Sequence, residues 1–237
     1  MDINSLNVKI FADGADLEDM KKMNLNPLIQ GLTTNPTLMA KAGITNYINF
    51  AKEVLSNIKN KPISFEVFSD DLIEIRRQAR EIAKWGENVY VKIPITNTKG
   101  ESTKNLIKEL TSQGVKVNIT AIMTTNQVNE IKDSLDPKVP SYVSIFAGRI
   151  ADTGRNPIPI IQESLDILKS NNLSEVIWAS PRELLNIFQA SEVGCHVITA
   201  TTDILKKLEL VGYNLEAYSL DTVKMFRNDA IKSNFEI

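Results

Sequence analysis

Val89-Tyr90-Val91-Lys92-Ile93-Pro94-Ile95-Thr96 is an apolar, β-branched run with one lysine near its C-terminal end. It reads as a buried strand. Alternation sets Val91 and Ile93 on one face and Tyr90, Lys92 and Pro94 on the other, so the ammonium points where a barrel strand shows its inner face. Pro94 has no N–H to give a neighbour, and the ladder stops there. Lysine seldom enters such a strand. The plain account is a side chain snorkelling from the strand end. The chemical account is an amine that burial strips of its charge, a nucleophile able to form a Schiff base with a carbonyl. The rest of the chain decides between them.

Short apolar runs of the same kind lie on both sides, at 8–13, 29–35 and 63–68 before the lysine strand and at 115–122, 142–147, 175–180 and 196–200 after it. Helical patterns separate them at 15–23, 37–42 with 46–58, 70–85, 101–112, 125–134, 156–170, 181–190 and 202–208. A Gly-rich loop is expected between the sixth run and the helix at 156–170. Strands alternating with helices, with no Gly/Ser linker, predict an α/β fold: a (β/α)8 TIM barrel with an additional C-terminal helix. An open doubly wound sheet would favour a Gly-rich nucleotide loop after its first strand, and Ala12-Asp13-Gly14-Ala15-Asp16 is not one. Residues 1–237 read as one barrel domain, with 213–237 a helical extension. Within it, 215–232 carries Leu220, Val223, Phe226 and Ile231 at helical spacing, beyond what eight units require. That face is expected to pack on another subunit.

Composition narrows the function. The 237 residues are 43% hydrophobic, enough for a sizeable core. A net charge of −2 from 27 basic and 29 acidic residues gives no field favouring nucleic acid or an anionic membrane, and points to small-molecule partners. Cys195 is the one cysteine and His196 the one histidine, so no internal disulfide or four-ligand Cys/His metal site can be built. Met1-Asp2-Ile3-Asn4 starts no basic segment followed by an apolar one, so no targeting segment is expected, and no stretch reaches the length of a membrane span. A cytoplasmic location is expected.

Alternation applied to every strand gives one set of polar side chains that interrupt apolar runs: Asp13, Asn35, Glu66 and Lys92, then Asn118, Thr120, Ser144 and Ser180. All fall at or beyond the middle of their runs, toward the end at which this fold builds its site. Singly, each could be a satisfied core polar group. Together they converge on a lysine. His196 has the opposite parity from Val197 and Thr199 and is placed toward the helix layer, so Ser/His/Asp triads are excluded and proton transfer falls to Asp13 or Glu66. Asp70-Asp71 reads as a helix cap. Arg149 and Arg182 follow the sixth and seventh strands, where barrels often bind phosphate. Ser180-Pro181-Arg182-Glu183 also has the form of a capping box, and a helix N-terminus can bind anions as well. Arg155 reads as a solvated loop charge. Trp178 shares the parity of Ser180, which points it into the barrel.

In combination these motifs resemble the transaldolase family over residues 13–226: Gly31-Leu32-Thr33-Thr34-Asn35-Pro36, Val91-Lys92-Ile93-Pro94, Asn118-Ile119-Thr120-Ala121, Ser144-Ile145-Phe146-Ala147-Gly148-Arg149-Ile150 and Ala179-Ser180-Pro181-Arg182. The length and C-terminal helix are similar to the small-subunit branch, which also holds fructose 6-phosphate aldolases. Glu66, Asn118 and Phe146 are similar to the transaldolases. The resemblance implies a Schiff base on Lys92, proton handling by Asp13 at the donor's C4 hydroxyl, and a water held by Glu66 and Thr120. It implies that Thr33, Asn35, Asn118, Ser144, Phe146, Arg149, Ser180 and Arg182 line the sugar-phosphate site. It implies no metal and no organic cofactor, sugar phosphates as partners, a place in pentose phosphate metabolism, and a homo-oligomer, a pentamer or a decamer. Trp178 stands where relatives have a small residue, which bears on pocket size. Two other readings are an aldolase releasing free dihydroxyacetone and a non-catalytic barrel scaffold, which the intact Lys92, Asp13 and Glu66 argue against.

Overall fold

The structure is a computed structural model that describes residues 2–236, so Met1 and Ile237, the ends of the expected domain, lie outside the described residues. Its strands are β1 (Lys9–Asp13), β2 (Ile29–Thr33), β3 (Ile63–Glu66), β4 (Val89–Pro94), β5 (Val117–Ile122), β6 (Ser141–Ile145), β7 (Ser174–Trp178) and β8 (Val197–Thr201). They pair in parallel in chain order, and β8 returns to β1 to close a barrel. Parallel neighbours need a crossover, and helices supply it: α1 (Leu17–Leu25), α2 (Pro36–Lys41), α3 (Tyr47–Asn57), α4 (Leu72–Ala83), α5 (Lys104–Ser112), α6 (Thr125–Ile131), α7 (Ala147–Asp152), α8 (Ile158–Leu168) and α9 (Leu185–Glu192); α10 (Thr202–Leu205) and α11 (Leu215–Lys232) follow β8. The β4 ladder ends at Pro94. Among the described residues no helix is long and apolar enough to cross a membrane.

Alternation divides the core in two. Ile10, Val91, Ile93, Ile119 and Val143 belong to the layer between strands and helices, each buried. Burying one such side chain fully contributes roughly 1.5–3 kcal/mol. Phe11, Tyr142, Ile177, Ala179 and Val197 fill the barrel interior, with Tyr90 and Phe146 against them. Phe11 meets Tyr142 edge to face at 5.6 Å. A methyl at Gly31 would overlap the Phe11 ring, so that position must stay glycine.

Three expectations are corrected here. Trp178 is buried in the outer layer, because β7 turns Ile177 and Ala179 inward and Val176 and Trp178 outward. Ser180 has φ +59°, a left-handed backbone that breaks the alternation on which the inward placement of Trp178 relied. The same kink prevents the capping box: α9 starts at Leu185, and the N–H groups of Arg182 and Glu183 donate instead to Asn186 Oδ1. Residues expected in a Gly-rich loop form α7, because Gly148 serves a close approach and not a turn. A methyl there would overlap the Ser180 carbonyl oxygen. His196 precedes β8 and is exposed at the N-terminal end of the barrel, its Nδ1 accepting from Val176 N at 3.0 Å. Of the acidic pair, Asp71 caps α4, accepting from Ile73 and Glu74, while Asp70 ties down the loop at Thr98.

Candidate active site

The parallel register β3–β4–β5 sets Glu66, Lys92 and Asn118 side by side on the inner face. Lys92 is 7% exposed. Its Nζ lies 3.0 Å from Glu66 Oε2 and donates to the Thr34 carbonyl oxygen at 3.1 Å. An ammonium held this far from water costs much unless it is paired, and Glu66 pairs it. An amine in contact with a carboxylate can hand over its proton and then attack a carbonyl. The Tyr47 hydroxyl donates to the Glu66 carbonyl oxygen at 2.9 Å, and burial pushes its phenol above the ordinary range.

Asp13 ends β1 on the far side of the same cleft, which encloses about 550 Å³. Burial raises its carboxyl above the ordinary carboxylate range, against the opposing pull of Lys92 and a Thr33 hydrogen bond. Thr33 donates to Asp13 Oδ1 at 2.8 Å. That uses its one proton, so the 2.6 Å contact between Thr33 Oγ1 and Thr199 Oγ1 has Thr199 as donor. Asn35 is the N-cap of α2: its Oδ1 accepts from Leu38 N at 3.0 Å, its Nδ2 reaches Asp13 Oδ2 at 3.4 Å, and Pro36 follows at the first helical position. Asn118 accepts from Ser144 Oγ at 2.7 Å and donates to Ser64 Oγ at 2.9 Å, which fixes its amide and leaves its second N–H for a ligand.

Thus Asp13, Thr33, Asn35, Glu66, Lys92, Asn118, Ser144, Phe146 and Ser180 share one cleft with Arg149 and Arg182, the two arginines exposed. Thr120 is placed differently. It lies beside Pro94 in register, 1% exposed and not among the residues that line the cleft, and its hydroxyl has no hydrogen-bond partner among the described residues. The next residue, Ala121, has φ +62° where the β5–β6 register slips. A left-handed alanine costs about 1–2 kcal/mol and interrupts the strand beside the cleft. Arg149 makes no ion pair among the described residues, whereas Arg182 pairs with Asp152 through both Nε and Nη2. Arg155 is an exposed loop residue on Thr153.

Partners of the site that escaped sequence reasoning include Thr34, Tyr47, Ser64, Thr199 and Asp152. Ser64 and Thr199 carry a usable signal, since each shares the inward parity of its strand. Thr34 acts through its backbone and Asp152 through a contact across 30 residues, and neither shows in a strand pattern.

The chain resembles known proteins in sequence and in fold. The family described as Transaldolase/Fructose-6-phosphate aldolase matches residues 10–237. A "Probable transaldolase" from Thermoanaerobacter sp. (strain X514) is 35% identical over 232 residues, 97% of this chain and 100% of the relative. Another of that name from Methanococcus vannielii is 35% identical, covering 90% of this chain and 97% of the relative. A crystal structure from Burkholderia cenocepacia J2315, of a protein assigned provisionally to the lyase/mutase class, superposes with TM-score 0.58 at 11% identity over 96% of this chain and 87% of that one. At that identity the likeness shows the fold alone.

Proposed function

The chain belongs to the transaldolase/fructose-6-phosphate aldolase family, and from that premise we propose that it is a transaldolase moving a dihydroxyacetone unit from a ketose phosphate to an aldose phosphate through a Schiff base on Lys92. The observation that carries the reading is the Lys92 amine, buried at the cleft floor 3.0 Å from Glu66 with Asp13 facing it. Fructose 6-phosphate and sedoheptulose 7-phosphate are the donors proposed.

In this reading Glu66 takes the ammonium proton, and neutral Lys92 attacks C2 of the ketose. Water leaves to give an iminium. Asp13 accepts the proton of the C4 hydroxyl as the C3–C4 bond breaks. The bonding pair moves into the iminium and forms an enamine, while the aldehyde product departs. The enamine carbon then attacks an acceptor aldehyde, Asp13 returns the proton to the new hydroxyl, and hydrolysis frees Lys92. The raised proton affinity of Asp13 suits a group that must both accept and return a proton. Thr120, a buried hydroxyl with capacity to spare, fits the holding of a water with Glu66. Asn35 and Asn118 hold the dihydroxyacetone hydroxyls with Thr33 and Ser144. Arg149, Ser180 and Arg182 take the phosphate. Neither a metal nor an organic cofactor enters the sequence of steps.

The reading takes 1–237 as one domain, with 213–237 as its extension, acting in the cytoplasm on pentose phosphate intermediates. It takes the enzyme as a homo-oligomer, a pentamer or decamer. In support, α11 is capped by Asn214 yet buries none of its residues, with Leu220, Val223 and Phe226 more than half exposed. Light scattering checks this, and a monomer at micromolar concentration would refute it.

The activity test gives the protein fructose 6-phosphate with and without erythrose 4-phosphate. Transfer is expected to outrun release of free dihydroxyacetone, because the Phe146 ring offers no donor to water near the enamine. Rapid release without acceptor would move the assignment to an aldolase, and no cleavage at all would leave a binding protein.

A further inference from the structure

We propose that Asp152 is a positioning residue that sets the preference for phosphorylated substrates by holding the Arg182 guanidinium at the cleft mouth; this rests on the reading of Arg182 as a phosphate ligand. A guanidinium has five N–H groups in a planar fork. Asp152 takes one edge: Arg182 Nε donates to Oδ1 at 3.0 Å, and Nη2 donates to Oδ2. Three N–H groups remain, two on Nη1 and one on Nη2. They make up the outer edge of the fork, which matches two oxygens of a phosphate.

Local physics does not favour an acid where Asp152 stands. It is the last residue of α7, where negative charge opposes the helix dipole. A cation lies one turn earlier on the same helix, Arg149. The i,i+3 ion pairs among the described residues put the acid first, as Glu18 with Lys21, Glu74 with Arg77 and Glu81 with Lys84, whereas Arg149 and Asp152 stand in the reverse, weaker order. Asp152 bypasses Arg149 and pairs with Arg182, 30 residues along the chain. Gly148 makes this possible. Its N–H donates to the Ala179 carbonyl oxygen at 3.3 Å, and only glycine lets α7 lie on the Ser180 backbone. The helix and the Ser180–Arg182 segment are therefore docked together, leaving one guanidinium held and the other, Arg149, free to adapt.

Asp152 also subtracts a charge from the rim, which would weaken phosphate binding. The two effects oppose one another. Arg182 and Asp152 are 46% and 51% exposed, so solvent and salt screen the charge effect. Salt does not screen the cost of ordering a loose arginine on binding. Positioning wins.

The test measures kinetics of Asp152→Ala, Asp152→Asn, Arg182→Ala and the Asp152→Ala/Arg182→Ala double variant at about 0.5 M salt, where the Debye length is only a few ångströms. Each is assayed with fructose 6-phosphate and with fructose. Asp152→Ala is expected to raise KM for fructose 6-phosphate roughly three- to tenfold with kcat kept within about twofold and fructose kinetics unchanged. Asp152→Asn, which keeps an acceptor, falls between. The double variant should be no worse than Arg182→Ala. An unchanged or lowered KM for the phosphorylated donor in both Asp152 variants, or equal losses on both donors, would overturn the proposal. If instead Arg182→Ala fails to discriminate the donors, the phosphate reading falls, and this inference with it.

Discussion

The two ends of the barrel each carry a lysine–glutamate pair on the inner face, and only one has the makings of a catalytic site. At the N-terminal end, Lys9 Nζ meets Glu175 Oε1 at 2.7 Å with the side chains 45% and 25% exposed. At the C-terminal end, Lys92 meets Glu66 at 3.0 Å with 8% and 15% exposed. Distance does not distinguish them, since the shorter pair is the wetter one. Water lowers the worth of the first pair to that of a surface ion pair, while the second interacts in a poorly screened interior. Phe11, Tyr90 and Tyr142 lie between the two ends and keep them apart. A further acid, Asp13, shares the cleft of the buried pair, so one cation faces two carboxyls. The lesson is that burial and a third charge, not the ion pair, make chemistry.

The largest effect expected from breaking this contrast is at Lys92. Lys92→Arg should keep the charge beside Glu66, and with it the fold, yet lose on the order of 10⁴-fold or more in kcat, as removal of a nucleophile does. Borohydride with fructose 6-phosphate should add a reduced dihydroxyacetone unit to Lys92 in the wild type and to nothing in the variant. Mass spectrometry reads the label, and modification of Lys9 instead would invert the comparison of the two ends.

Asp13→Asn comes next, with an expected loss of 10²–10⁴ in cleavage. Its effect on stability runs the other way. Burial raises the Asp13 carboxyl, so the folded state holds this proton more tightly than the unfolded chain does. Stability from this group is therefore lost as pH rises from the ordinary carboxylate range through the raised value. The amide carries no charge to bury. Asp13→Asn should melt higher than wild type at neutral pH, and the difference should shrink toward pH 4. A variant that melts lower at pH 7 would mean that Asp13 is held for structure.

A smaller effect is expected at Phe146. Phe146→Tyr adds a hydroxyl to the cleft lining, where it can help water protonate the enamine. Release of dihydroxyacetone should gain a few-fold relative to transfer, and product ratios measure it. An unchanged ratio would remove Phe146 from the account of why transfer dominates.

The barrel was legible because its two rules are local. Apolar runs of strand length alternate with helical spacing, and the β4 run ends at the expected proline. Period 2 placed Lys92, Glu66 and Asn118 on the inner face, and the observed register makes them neighbours. The rule fails where the backbone leaves the β region. Ser180 at φ +59° turned an extrapolated parity into a misplaced Trp178, and nothing in Trp178-Ala179-Ser180 announces that kink. Gly148 looked like a loop residue because a glycine needed for close approach and one needed for a turn read alike. The Arg182–Asp152 pair joins segments 30 residues apart and depends on that approach, so no periodicity could reveal it.

The smallest expected effect belongs to the N-terminal pair and can be followed on the one histidine. His196 is held below its ordinary value, first by the partial desolvation of its ring against the barrel end, while Glu175 raises it and Lys9 lowers it. Its Nδ1 accepts from Val176 N, a bond that protonation of that nitrogen would break. Lys9→Met should therefore raise the His196 pKa, and Glu175→Gln should lower it further, both readable by NMR titration. The shifts should be small because the charges are partly solvated. Neither substitution should change the melting stability by more than about 1 kcal/mol, as for exposed pairs. Neither should change kcat, because the aromatic plug separates this pair from Lys92. The depressed histidine makes the folded state bind fewer protons than the unfolded chain as pH falls through the ordinary histidine range. Its contribution is present above that range and is lost as pH falls toward the lowered value. Glu175→Gln should deepen this acid sensitivity and Lys9→Met should relieve it. Shifts of the same sign in both variants would show that His196 senses rearranged packing and not the two charges, and a drop in kcat would show that the two ends of the barrel are coupled after all.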